Sequence, residues 1–148
     1  KIEIKTIMKY LLIAILLGCS QVANSQSIDK SDIIGQWTVT KGKTTSSDLP
    51  TDVNQMMTMM INGFDQSVWT FNSNGRFRIE FTKELSPVME EMKFLDNKLW
   101  KYIDSSNLIK IGTKKDNFNH LVLSAKAVES DIEIQFSDTP IILTLRKK

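Results

Sequence analysis

The chain has 148 residues, 41% hydrophobic and 24% charged, with one cysteine and one histidine. That length allows one domain with a sizeable core plus a short targeting segment, and a single cysteine excludes an internal disulfide framework. Residues 1–18 hold three of the nineteen basic and one of the seventeen acidic side chains. The remainder is therefore balanced with histidine uncharged, and it lacks the basic footprint that nucleic-acid binding requires.

Met8-Lys9-Tyr10 and the apolar run Leu11 to Gly18 make a basic start and a short hydrophobic core. A membrane-spanning helix needs about 20 apolar residues, so the segment reads as a signal peptide. Leu16-Leu17-Gly18-Cys19 resembles a bacterial lipobox, in which the cysteine is lipidated and becomes the mature N-terminus. Ala23-Asn24-Ser25 offers ordinary cleavage after Ser25 as the alternative. The only cysteine sits where a lipobox needs it, which favours lipidation at Cys19. The organisation expected is a signal over 1–18, a polar flexible tether over 19–31 and one domain over 32–148.

The first strand is expected over about 33–41. It contains Gly35-Gln36-Trp37, where Gly35 leaves room on the face from which Trp37 projects, since residues two apart share a side. Leu49 to Ile61 is the helix candidate. Pro50 suits its first turn, Ser47 or Asp48 its cap, and Asn62-Gly63 its end. Val53, Met56, Met57, Met60 and Ile61 recur at three- and four-residue spacing as one apolar stripe. A period of two follows. Val68 to Phe71 leads through Asn72-Ser73-Asn74-Gly75 into Arg76 to Thr82, where Phe77, Ile79 and Phe81 alternate with Arg76, Arg78 and Glu80. Residues 83–96 fit either a short helical turn or an irregular strand edge. Strands are then expected at Lys98 to Ile103, Leu108 to Ile111, Asn119 to Ala127, Asp131 to Phe136 and Ile141 to Arg146. Eight strands with tight connections close readily into an antiparallel up-and-down barrel. The fold expected is all-β, with a short helix between the first two strands closing one end, and a two-sheet sandwich as the alternative.

Ile34-Gly35-Gln36-Trp37, Trp69 to Phe77 across the second hairpin, Lys98-Leu99-Trp100-Lys101-Tyr102 and Leu143-Thr144-Leu145-Arg146 together resemble the lipocalin-like domains of exported bacterial proteins and lipoproteins. The resemblance covers residues 32–147. It implies that Gly35, Trp37 and Arg146 form the structural end of the barrel, with the Arg146 guanidinium over the Trp37 ring. It also implies that Trp69, Phe71, Phe77, Ile79, Phe81, Trp100, Tyr102 and Phe136 line an interior that takes a small hydrophobic or amphipathic ligand.

The residues themselves leave a rival open. An eight-strand barrel is just wide enough to pack solid or to hold one small ligand, and so many large side chains would fill it. A solid barrel would act as a protein-interaction module of the cell envelope. Enzymatic chemistry is not expected. His120 has no second histidine beside it, Glu90-Glu91 reads as solvated surface, and no nucleophile–base set or phosphate loop is present. No metal or cofactor is expected. The run Met56-Met57-Thr58-Met59-Met60 suits Cu(I) by its donors, but core packing accounts for three of its four methionines if the stripe is buried. The chain is expected to be a monomer, exported to a bacterial envelope and held by a lipid at Cys19 on an outer membrane facing the periplasm. Soluble secretion is the alternative.

Overall fold

A computed structural model describes residues 27–148. The signal segment, the Cys19 lipobox and the Ser25 cleavage position lie outside the described residues. The strands are β1 (Gly35–Thr44), β2 (Val68–Phe71), β3 (Arg76–Glu80), β4 (Lys98–Ile103), β5 (Leu108–Gly112), β6 (Leu121–Val128), β7 (Asp131–Phe136) and β8 (Ile141–Lys147). Each pairs antiparallel with the next, and β8 returns to β1, giving the expected closed eight-strand up-and-down barrel. Three helices accompany it: α1 (Lys30–Ile33), α2 (Thr51–Phe64) between the first two strands, and α3 (Pro87–Glu91), which continues into a 3-10 turn at Met92–Leu95. Of the two readings open for residues 83–96, the helical turn is the one observed.

The two ends of the barrel are built differently. The hairpins after β2, β4 and β6 gather at one end with α1, which we call the hairpin end. The connections carrying α2 and α3 gather at the other, the helical end. Alternation decides what faces in. Phe77 and Ile79 on β3, Ile132, Ile134 and Phe136 on β7, and Leu143 and Leu145 on β8 are buried, while the residues between them are half-buried or exposed.

Three expectations need correction. The tether does not run to residue 31. Ile28 is buried, and Lys30–Ile33 is a helix whose first turn is held by the Asp29 N–H donating to the Asp32 carboxylate at 2.9 Å. Ile28 and Ile33 plug the hairpin end, which outweighs the polar composition around them.

Helix α2 does not stop at Asn62-Gly63 but runs on to Phe64, and Pro50 precedes its first turn as the cap residue. Gly63 lies against α3: a Cβ there would meet Met89 Cγ at 2.6 Å. Burial of Phe64 inside the barrel mouth overrides the local stop signal.

The apolar stripe on α2 is also narrower than expected. Met57 is buried and Val53, Met60 and Ile61 pack partly against the core, joined by Gly63 and Phe64, whereas Met56 is 42% exposed; Met59, outside the expected stripe, is 43% exposed. The helix turns its Met57–Phe64 line inward because Phe64 must reach the barrel axis.

Candidate binding surfaces

The residues expected to line a ligand cavity do converge on the barrel interior, and there they pack on one another. Phe136 meets Phe64 at 5.6 Å between ring centroids, Phe64 meets Trp69 at 5.7 Å, and Trp69 meets Phe77 at 5.5 Å. Phe71 then links Phe77 to Trp100, at 5.1 Å on each side. The pairs are tilted or edge-to-face, the geometry aromatic rings prefer. Ile79, Ile109, Ile111, Leu123 and Ile134 fill the positions around this column and are buried. Phe81 and Tyr102 are half-buried and mark opposite ends: Phe81 touches Phe64 at the helical end, and Tyr102 lies at the hairpin end. Phe64 joins the column from α2, outside the strand pattern. Its signal in the sequence was an aromatic one turn beyond the helix stripe.

Every indole N–H in the column is satisfied, as a buried donor must be. Trp69 Nε1 donates to Ser67 Oγ at 3.0 Å, and Ser67 Oγ donates to the Phe64 carbonyl at 2.6 Å, so the buried Ser67 stitches β2 to the end of α2. Trp100 Nε1 donates to the Asn72 carbonyl at 2.9 Å.

At the hairpin end, Trp37 is 3% exposed and donates from Nε1 to the Ile33 carbonyl at 2.8 Å. The cation over its ring is Lys147, at 5.2 Å to the centroid, and not Arg146. Arg146 points outward and holds Asp131 with two hydrogen bonds of 3.1 Å, which raise its guanidinium pKa further. The reason is parity. Leu143, Leu145 and Lys147 share one face of β8, and the register shift between Val39 and Lys41 in β1 sets Trp37 opposite Lys147. Period two along β8 was the signal for Lys147. Gly35 has φ +133 and lies opposite Phe71, and a Cβ there would come within 3.1 Å of Lys147 Cε.

Tyr102 donates to the Ile28 carbonyl at 2.7 Å, with the Asn107 amide oxygen 2.8 Å away. Burial, with Asp104 nearby, pushes its phenol above the ordinary range. A polar groove of about 490 Å³ opens beside this plug, between Ile28, Asp32, Trp37, Glu129, Asp131 and Lys147.

The helical end carries the exposed apolar side chains Met56, Met59, Val88 and Phe94, 42–48% accessible. His120 sits near it, its ring edge-on to Phe94 at 5.6 Å and its Nε2 against the Asp116 carboxylate. Partial burial would raise Asp116, but the Thr113 N–H at 2.9 Å, the facing His120 and the Asn119 N–H outweigh it and hold the carboxyl low. Asp96 behaves alike: burial is outweighed by Arg78 and by the Ile79 N–H at 3.0 Å. Asp65 is lowered by its bond from Lys83. These acids brace the loops of the helical end. Among the described residues, no three His, Cys, Asp or Glu side chains gather as a metal-binding group.

No family model matches the chain, and no curated protein matches it. Among solved structures, the chain is similar to a DUF4847 family protein from Bacteroides vulgatus, with 9% identity and a TM-score of 0.44 over 78% of this chain and 94% of that one. A likeness that slight carries no argument about function.

Proposed function

We propose that the chain is an exported, non-catalytic barrel of the lipocalin-like kind that binds a protein partner at its helical end and keeps its interior as core. The observation that carries this reading is the run of touching rings from Phe136 to Trp100. It occupies the space in which a small hydrophobic ligand would lie. The helical end supports the partner surface, because it carries the exposed apolar side chains Met56, Met59, Val88 and Phe94, and exposed apolar surface is common at docking sites. The closed ladder leaves no strand edge for self-pairing and supports a monomer. Export rests on the Met8 to Gly18 segment, and a lipid at Cys19 would hold the protein on the periplasmic side of a bacterial outer membrane.

Tryptophan fluorescence titrated with fatty acids, retinoids and haem-like compounds tests the filled interior. No saturable change is expected, and a one-to-one quench would restore the interior ligand. A photo-crosslinker at Val88 is expected to trap a neighbour in the native envelope that one at Glu129 does not. Metabolic labelling with a fatty-acid analogue checks the anchor separately: wild type should label and Cys19→Ala should not, and equal labelling rejects lipidation.

A further inference from the structure

All the methionines except Met8 gather at the helical end, four on α2, Met89 on α3 and Met92 in the turn after it. Their environments divide them. Met57 and Met89 are buried, and Met60 and Met92 pack partly against the core. Met56 and Met59 are 42% and 43% exposed, so packing does not account for their side chains. Helix propensity does not account for them either, since glutamate, lysine or glutamine would serve an exposed helical position about as well. What methionine adds at such a position, besides apolar surface for a partner, is a soft thioether donor.

From this we propose that Met56, Met59 and Met60 form a surface thioether site for a soft monovalent cation, Cu(I) or its analogue Ag(I). The three stand at i, i+3 and i+4 on α2, where neighbouring Cβ atoms lie about 5–6 Å apart. Three rotatable bonds per side chain let the sulfurs converge on one ion. Thioethers select Cu(I) over Zn(II), Mg(II) or Ca(II) because they are soft and uncharged. Charge is supplied nearby. Asp52 is exposed one turn before Met56 on the same helix, and Glu84 shares with Met59 a groove of about 260 Å³ beside α2. The lysine on that groove, Lys83, is held by Asp65. The exposure of Met56, the one member of the expected stripe that leaves the core, joins that of Met59 in making these donors available.

The test uses residues 19–148 produced directly with Cys19→Ser, so that no thiol competes, with the methionine methyls isotopically labelled. Redox-inert Ag(I) is added under NMR observation. The methyl signals of Met56, Met59 and Met60 are expected to shift and saturate at one equivalent, while those of Met57 and Met89 stay in place. Met56→Leu/Met59→Leu/Met60→Leu keeps the helix and its apolar character and is expected to weaken binding at least tenfold. If that variant does not fold, the exposed single change Met56→Leu is expected to weaken it severalfold. Zn(II) should leave the three methyls unmoved. Absence of shifts at one equivalent, equal shifts from Zn(II), or binding lost in His120→Asn but kept in the leucine variants would each overturn the site.

Discussion

The two ends of this barrel are closed by different physics. At the hairpin end the plug is wired: Trp37, Trp100 and Tyr102 each send a polar hydrogen to a backbone carbonyl. Lys147 and Lys30 lie over the two indoles at 5.2 and 5.5 Å. At the helical end one buried relay through Ser67 ties α2 to β2, and the rest of the seating of α2 and α3 is by shape, with Phe64, Met57, Met89 and Leu95 pressed into the mouth and Met56 and Met59 left outside. Directional bonds fix one arrangement, whereas methionine contacts adapt to several. The wired end suits a structural stopper. The adaptable end suits an encounter with something else.

The largest expected effect lies in the stopper. Trp37→Ala should cost about 3–5 kcal/mol in denaturant unfolding, the range for emptying a buried tryptophan site. Met56→Ala at the other end should stay within about 0.5 kcal/mol. Equal costs would erase the distinction between the ends. Next comes the seam between α2 and α3. Gly63→Ala drives a methyl into Met89, and overpacking of about 1–3 kcal/mol should exceed the helix preference for alanine, roughly 1 kcal/mol. Pairing it with Met89→Ala should recover the part due to the clash, and a double-mutant cycle showing additivity would place the strain elsewhere.

A similar loss, about 1 kcal/mol, is expected for Tyr102→Phe, which removes the bond to the Ile28 carbonyl. Faster amide exchange around α1 should accompany it, with α2 unaffected. The smallest effect is a pH dependence at the helical end. Asp65, Asp96 and Asp116 have folded pKa values below their ordinary ones. Their stabilisation is complete above the unfolded carboxylate pKa of about 4 and is lost as pH falls through the folded values. Asp96→Asn should make the acid limb of a melting-temperature titration shallower. An unchanged limb would mean that Asp96 is not among the groups responsible.

The strands were legible because each carries its own evidence. Arg76 to Glu80 alternates without interruption, and the observed burial alternates with it. What escaped the sequence depended on partners far along the chain. Nothing local tells Ile28 that a tyrosine seventy-four residues later will bond its carbonyl. Nor does the Asn62-Gly63 stop signal know that Phe64 is needed at the barrel axis, or that Gly63 must admit Met89. The cation over Trp37 is an intermediate case. Strand parity pointed to Lys147, while the family pattern pointed to Arg146. As for the candidate surfaces, the sequence placed the aromatics inside but could not say whether they would touch. Of the α2 methionines, the helical spacing placed Met57 and Met60 toward the core and left Met59 out, and only Met56 departs from it.

The pairing of β8 with β1 has a further consequence, for when the chain can fold. The last strand completes the ladder begun by the first, with Trp37 opposite Lys147 and Thr44 opposite Ile141. The seam therefore cannot form until the chain is available through β8, and pairings so distant along the chain are slow to close. A nascent chain threaded through a translocation pore would present strands β1 to β7 with both borders still open, prone to pair with neighbours. If the chain is exported as proposed, the arrival of β8 would act as the release signal for folding, delaying the finished barrel until that strand has crossed.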